Sequence, residues 1–229
     1  MNLVALLRER AEQHPGRPAL IDRKRGEDRV KTFGELLLRV EQGSAQLQQM
    51  GLKRGQTILL FQPVSIELYE ILLAAFHSGL RVMLADPSAG KAFLTLCCGR
   101  LAPDAFFGPW KAQLLRQFVP ALKKIPLAIR SDGWFPGTTK WAASGDGVPL
   151  LEVPDEEPAL ITFTSGSTGV PKAAVRTHGF LLAQHKALSH ALDFKEGEVD
   201  LITLPVFGLA NLASGLTRVL ADTDLRSPG

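Results

Sequence analysis

Apolar residues recur at three- and four-residue intervals after Thr32, at Phe33, Leu36, Leu37, Val40, Leu47 and Met50. This is the period of a helix with one buried face. Thr32 and Glu35 have the capping-box spacing, in which each side chain accepts a backbone N–H left unpaired at a helix start, and Gly51 supplies the left-handed stop. The pattern then predicts a strand at Thr57 to Phe61, an apolar helix at Ile66 to His77 stopped by Gly79, and an apolar strand at Arg81 to Ala85. A helix at Lys91 to Arg100, a strand at Asp104 to Phe107, a helix at Lys111 to Phe118 and a strand at Pro126 to Arg130 continue the alternation. Strands separated by helices predict an α/β fold with mixed, largely parallel sheets and flanking helices. Ligands in such sheets sit beyond the carboxyl ends of the strands.

Residues 131–158 carry Gly, Pro and the acids Asp155 to Glu157 with few periodic apolar positions, and read as an irregular connection. They divide an N-terminal α/β subdomain, 1–130, from the start of a second, 159–229. The first sixteen residues form a short amphipathic helix whose charges at Arg8, Glu9 and Arg10 do not suit a secretion signal. Leu201 to Thr217 is seventeen residues without a formal charge, but Pro205, Gly208, Asn211 and Gly215 interrupt it. A buried strand and helix are expected there, with no transmembrane segment.

Composition adds little against this picture. The 229 residues are 45% hydrophobic and 21% charged, the balance of a folding globular chain. A formal charge of +3 gives no footprint for nucleic acid or an anionic membrane. The basic runs Arg23-Lys24-Arg25 and Lys123-Lys124 read as solvated loops or helix ends. The two cysteines, Cys97 and Cys98, are adjacent and match no metal spacing. They suit a reducing compartment, which makes the cytoplasm the expected location. No metal-binding set is expected from His77, His185 or His190.

The chemistry concentrates after the connection. The strand Ala159 to Phe163 runs into Thr164, Ser165, Gly166, Ser167, Thr168, Gly169, Val170, Pro171 and Lys172. Glycines let a backbone approach a ligand closely, hydroxyls and exposed N–H groups donate, and the lysine brings a mobile positive charge. Together they suit a polyphosphate. The spacing differs from the Walker loop, since Lys172 follows Gly169 by three residues and no Ser or Thr comes after it. A flexible Gly and Ser linker would need neither the preceding apolar strand nor the proline and lysine at fixed offsets. Downstream, Ala173 to Arg176 form a second strand. Thr177 then caps a helix with Phe180, Leu181, Ala187, Leu188, Ala191 and Leu192 on one face.

The stretch ITFTSGSTGVPK, residues 161–172, resembles the signature of the adenylate-forming (AMP-binding) superfamily of acyl-CoA synthetases, luciferases and peptide-synthetase adenylation domains. The run from Thr32 to Ser88 is similar to the family's N-terminal region, so the chain is expected to be the N-terminal portion of such an enzyme's large domain. KAAVRTHGFLLAQHKAL and LPVFGLANLASG resemble the branch that makes β-lactones from long-chain β-hydroxy acids in bacterial olefin biosynthesis. Many acyl-CoA synthetases have a histidine soon after the Pro-x-Phe of the second stretch. Here Gly208 follows Phe207, which is expected to open room near the acyl pocket.

The resemblance implies ATP and Mg2+ as cofactors and a long-chain carboxylic acid as substrate, with other olefin-biosynthesis enzymes as further partners. Thr164 to Gly169 would hold the phosphates, with Lys172 as the catalytic cation beside them. Two unit negative charges about 4 Å apart repel by roughly 4 kcal/mol at an effective dielectric near 20. A hydrogen bond to a charged oxygen contributes roughly 1.5–3 kcal/mol, so a few aimed donors offset such repulsion. An acyl-adenylate would then close on the substrate's own β-hydroxyl, or alternatively on the thiol of coenzyme A; a noncatalytic nucleotide-binding fragment is the rival of another class. Phe207 and Asn211 border the acyl pocket by resemblance, while the Leu, Ala and Val around them favour plain core. His178 is expected to cap or pack, and Gln184 is either a substrate contact or a buried amide. The family's later motifs, including its ribose-binding aspartate and C-terminal catalytic lysine, do not occur in these residues. Little adenylation activity is expected of residues 1–229 by themselves.

Overall fold

The computed structural model describes residues 2–164, 171–202 and 205–221, leaving aside the side chains of 202 and 205–207. Helix α1 (Val4–Gln13) leads into a hairpin of β1 (Pro18–Lys24) and β2 (Glu27–Thr32). The two residues between the strands, Arg25 and Gly26, both have positive φ, 57° and 85°. That is the turn whose twist matches a two-residue hairpin, so the Arg23-Lys24-Arg25 run expected in a loop or helix end lies at a hairpin tip instead.

Helix α2 (Phe33–Gln49) starts at the capping box: Glu35 N–H donates to Thr32 Oγ1 at 3.2 Å, and Thr32 N–H donates to Glu35 Oε2 at 3.0 Å. Strand β3 (Thr57–Leu60), helix α3 (Ile66–His77), strand β4 (Arg81–Leu84), helix α4 (Lys91–Leu101), strand β5 (Ala105–Gly108), helix α5 (Trp110–Phe118), short helix α6 (Pro120–Lys123) and strand β6 (Leu127–Arg130) follow the alternation read from the sequence. The connection contributes only β7 (Thr139–Lys140) before β8 (Pro158–Thr164), β9 (Lys172–Thr177), helix α7 (His178–Ala191), β10 (Val199–Ile202), helix α8 (Pro205–Ala213) and β11 (Thr217–Leu220).

Two sheets result, in the orders β10-β11-β1-β2 and β7-β6-β5-β3-β4-β8-β9. The larger is parallel except for the antiparallel pair β8 and β9. The 131–158 connection does not coincide with a division between sheets: β8 pairs with β4, and β11 pairs with β1. One apolar core joins both sheets through α1, α2, α3, α7 and α8, and a second packs α4 and α6 on the other face of the larger sheet. Alternate residues of the central strands feed the two cores, as Ile58 and Leu60 enter the first and Leu59 the second.

Two expectations need correction. The apolar set on α7 is not a buried face, because Phe180 and Leu192 are exposed and only His178 and Leu181 are fully buried. The helix meets the core through its first turns alone. Strand β10 is likewise not a buried strand, since Val199 and Leu201 are 68% and 65% exposed at the edge of the four-stranded sheet. Leu201, Val219, Ile21 and Val30 are successive register partners across all four strands, so an apolar row crosses that outer face.

Candidate functional site

Strand β8 is an apolar run that ends at Thr164 once it reaches the carboxyl edge of the sheet. Strand β9 returns from Lys172, and Thr164 and Lys172 are register partners. Thr162 lies opposite Ala174 and Leu160 opposite Arg176. Side chains alternate along a strand and partners share a face, so Thr162, Thr164, Lys172 and Arg176 stand on one face. Leu160 on that face is fully buried in the core between the sheets, whereas Ile161 and Phe163 enter the outer core. The hydroxyls and the two cations therefore face the layer between the sheets.

Thr164 and Lys172 are exposed, and Arg176 is half-buried with Nη1 donating to Thr162 Oγ1 at 2.9 Å. Ser165, Gly166, Ser167, Thr168 and Gly169 lie outside the described residues. What is described is the frame of the loop: a hydroxyl at its entry, a lysine at its exit, and an antiparallel pair that holds the two ends together. Sequence reasoning assigned Arg176 only to a strand. The two-residue alternation running from Lys172 through Ala174 was the signal that would have put it on the lysine's face.

The end of the β8–β9 pair away from the loop is anchored by the start of α7. Thr177 Oγ1 accepts the Phe180 N–H at 3.1 Å, and the His178 and Gly179 N–H groups donate to the carbonyls of Glu157 and Asp155. His178 is fully buried, its Nδ1 accepting the Leu3 N–H at 3.4 Å and its ring set edge-on to Phe76. It packs, as expected, and burial lowers its pKa to about 4, which keeps the ring neutral.

Beside the loop, at the carboxyl ends of β3, β4 and β8, lies a cavity of about 890 Å³. Phe61, Leu84, Leu115 and Phe163 give it a largely apolar lining, and Gln62, Asp86, Lys111 and Thr162 add polar groups. Its position is the one that topology assigns to ligands in parallel sheets.

The expected acyl-pocket residues are on α8. Phe207's side chain lies outside the described residues. Asn211 is buried, and its amide donates to Asp200 on β10. Gly208 opens no room: a Cβ there would overlap the guanidinium of Arg218 and the hydroxyl of Tyr69. Arg218 is fully buried beside Tyr69, and desolvation lowers its pKa.

Among the described residues no three His, Cys, Asp or Glu side chains cluster as metal ligands. The hydroxyls and cations of the loop frame suit phosphate oxygens, not a metal ion. No helix among the described residues is long and apolar enough to cross a membrane.

Residues 7–221 match the family model described as AMP-binding enzyme. The chain belongs to the AMP-binding enzyme family. It is 34% identical over a 238-residue alignment to an olefin beta-lactone synthetase of Stenotrophomonas maltophilia, covering 99% of this chain and 43% of that protein. An olefin beta-lactone synthetase of Xanthomonas campestris is 33% identical, over 88% of this chain and 37% of its own length. The chain thus spans less than half the length of these AMP-binding relatives. Acetoacetyl-CoA synthetase from Streptomyces lividans superposes with a TM-score of 0.85 at 23% identity, over 96% of this chain and 38% of that one. A putative long-chain-fatty-acid CoA ligase from Rhodopseudomonas palustris gives 0.84 at 20% identity, over 98% and 58%. At these identities the two structures establish the shared fold of mixed sheets and flanking helices.

Proposed function

We propose that the protein activates a long-chain β-hydroxy acid with ATP and closes it to a β-lactone. The observation that carries the nucleotide half of this reading is the pairing of Thr164 with Lys172, which sets a hydroxyl and a cation on one face at the two ends of a Gly, Ser and Thr loop. In the first step a carboxylate oxygen attacks the α-phosphorus, the bond from that phosphorus to the bridging oxygen breaks, and pyrophosphate leaves. Lys172 and the hydroxyls and N–H groups of 164–169 offset the charge gathered as the two anions meet. Mg2+ bound to the phosphates would supply further charge neutralisation. In the second step the β-hydroxyl oxygen attacks the acyl carbon and loses its proton, the bond from that carbon to the phosphate oxygen breaks, and AMP departs.

The lactone outcome rests on the likeness to the two olefin beta-lactone synthetases. The space about Gly208 accords with it, because Arg218 and Tyr69 fill the place that a histidine side chain would need there. The apolar cavity beside the loop accords with an alkyl-bearing substrate. Phe207 and Asn211 are proposed to border the acyl group.

The test gives the complete native protein ATP and a 3-hydroxy fatty acid, with and without coenzyme A. AMP and β-lactone formed without the thiol are expected; a product that requires the thiol would assign the protein to the acyl-CoA ligases instead.

A further inference from the structure

Arg176 stands on the same face of the β8–β9 pair as Lys172, four residues further along the strand. At about 3.3 Å per residue their Cα atoms are about 13 Å apart. The Arg176 side chain does not extend away from the loop. Its Nη1 reaches Thr162, two positions nearer the loop than its own register partner Leu160, which brings the guanidinium to within about 7 Å of the Thr164 and Lys172 level.

Its charge has a neutral partner. Among the described residues Arg176 takes part in no salt bridge, and the Thr162 hydroxyl is its one hydrogen-bond partner. Arg29 is held by Asp22 and Glu67 and Arg39 by Glu70, while Arg116 and Arg130, also outside any salt bridge among the described residues, are occupied by backbone carbonyls. A half-buried guanidinium presents five donors in a planar fork that matches phosphate oxygens. Held by a single neutral hydroxyl, it leaves the rest of that fork for an anion.

We propose that Arg176 is a second phosphate-binding cation, which with Lys172 brackets a chain of phosphates and so selects a triphosphate or pyrophosphate over a single phosphate group. The proposal rests on the nucleotide reading of the loop and adds a residue to it. Two cations separated along a strand match an extended polyanion, whereas one phosphate engages only one of them. Thr162 is the positioning residue that fixes the guanidinium toward the loop.

Binding of ATP, inorganic pyrophosphate and AMP to the complete native protein, measured by calorimetry, separates the possibilities. Arg176→Met is expected to weaken ATP and pyrophosphate by about tenfold or more, the loss of a charge-assisted bond, and to leave AMP within about twofold; Arg176→Lys is expected to recover part of the loss. Thr162→Val is expected to weaken pyrophosphate in the same direction by a smaller factor. Should Arg176→Met not melt like the parent, Arg176→Gln, which keeps a donor for Thr162, carries the same comparison. Unchanged pyrophosphate affinity, or an equal loss for all three ligands, would overturn the proposal while the nucleotide reading stands. A parent protein that binds neither ATP nor pyrophosphate would sink both, with the difference visible before any variant is made.

Discussion

His178 meets Phe76 edge-on, with ring centroids 5.6 Å apart and planes at 74°, and so pins the first turn of α7 to the last turns of α3. The next residue after Phe76, His77, is also fully buried, its Nδ1 2.9 Å from Ser44 Oγ. Burial lowers the pKa of each ring from 6.5 to about 4. Both rings are therefore neutral in the fold and gain protons on unfolding below pH 6.5.

That sign fixes the pH dependence. The contribution is fully present above pH 6.5 and is lost as pH falls toward 4, at about 1.4 kcal/mol for each unit of pKa depression. Urea midpoints are expected to fall between pH 6.5 and pH 5, where most carboxylates stay ionised, and His178→Gln is expected to flatten the slope. A midpoint independent of pH across that interval would contradict the burial of neutral rings.

How much of this was legible in the sequence depends on what each element needs. The extent of helix α3, Ile66–His77, was legible because its apolar length and the stop at Gly79, φ 67°, are local signals. The β1–β2 hairpin was missed because its residues DRKRGEDRVK carry charge on both faces and little apolar alternation. Its backbone pairing and the Arg29 bridges to Asp22 and Glu67 hold it, and the last of these partners is distant in sequence. The Arg-Gly pair between the strands was the available clue. Strand β11 contains the fully buried Arg218, which becomes intelligible once the fold sets Tyr69, the carboxylate of Asp200 and the bare Cα of Gly208 around it. At the site, the contiguous Gly, Ser and Thr run and Lys172 could be proposed from the sequence, whereas the placement of Arg176 on the face of Lys172 follows from the β8–β9 register.

Gly208 and Arg218 should be coupled. Gly208→Ala places a Cβ on the guanidinium and the Tyr69 hydroxyl, and is expected to cost about 1–3 kcal/mol by overpacking. In an Arg218→Met background the same substitution is expected to cost less, because the thioether chain can yield. Additive losses in denaturant melts of the four proteins would contradict the contact.

Arg39 donates to both carboxylate oxygens of Glu70, which is 3% exposed, at 3.2 and 3.3 Å, and through Nη1 to the carbonyls of Ala142 and Ala143 at 2.6 and 2.7 Å. Arg39→Met strands a buried carboxylate and two carbonyls, and a loss of about 3–5 kcal/mol is expected. Adding Glu70→Gln should recover part of it. Chemical denaturation that shows no recovery in the double variant would place the cost elsewhere.

The apolar row through Leu201, Val219, Ile21 and Val30 leaves Leu201 and Val30 exposed, and an exposed apolar row at a sheet edge favours association. Sedimentation velocity of this chain is expected to show concentration-dependent association, and Val199→Lys with Leu201→Lys to reduce it. Association unaffected by the two lysines would exclude this face.

The most direct measurement is the affinity of the complete native protein for ATP before and after Lys172→Ala and Thr164→Val. A loss of about tenfold or more for the lysine variant and a smaller loss for the threonine variant, with melting unchanged, is expected of a hydroxyl and a cation that face one phosphate chain across β8 and β9. Affinity unchanged in both would contradict it.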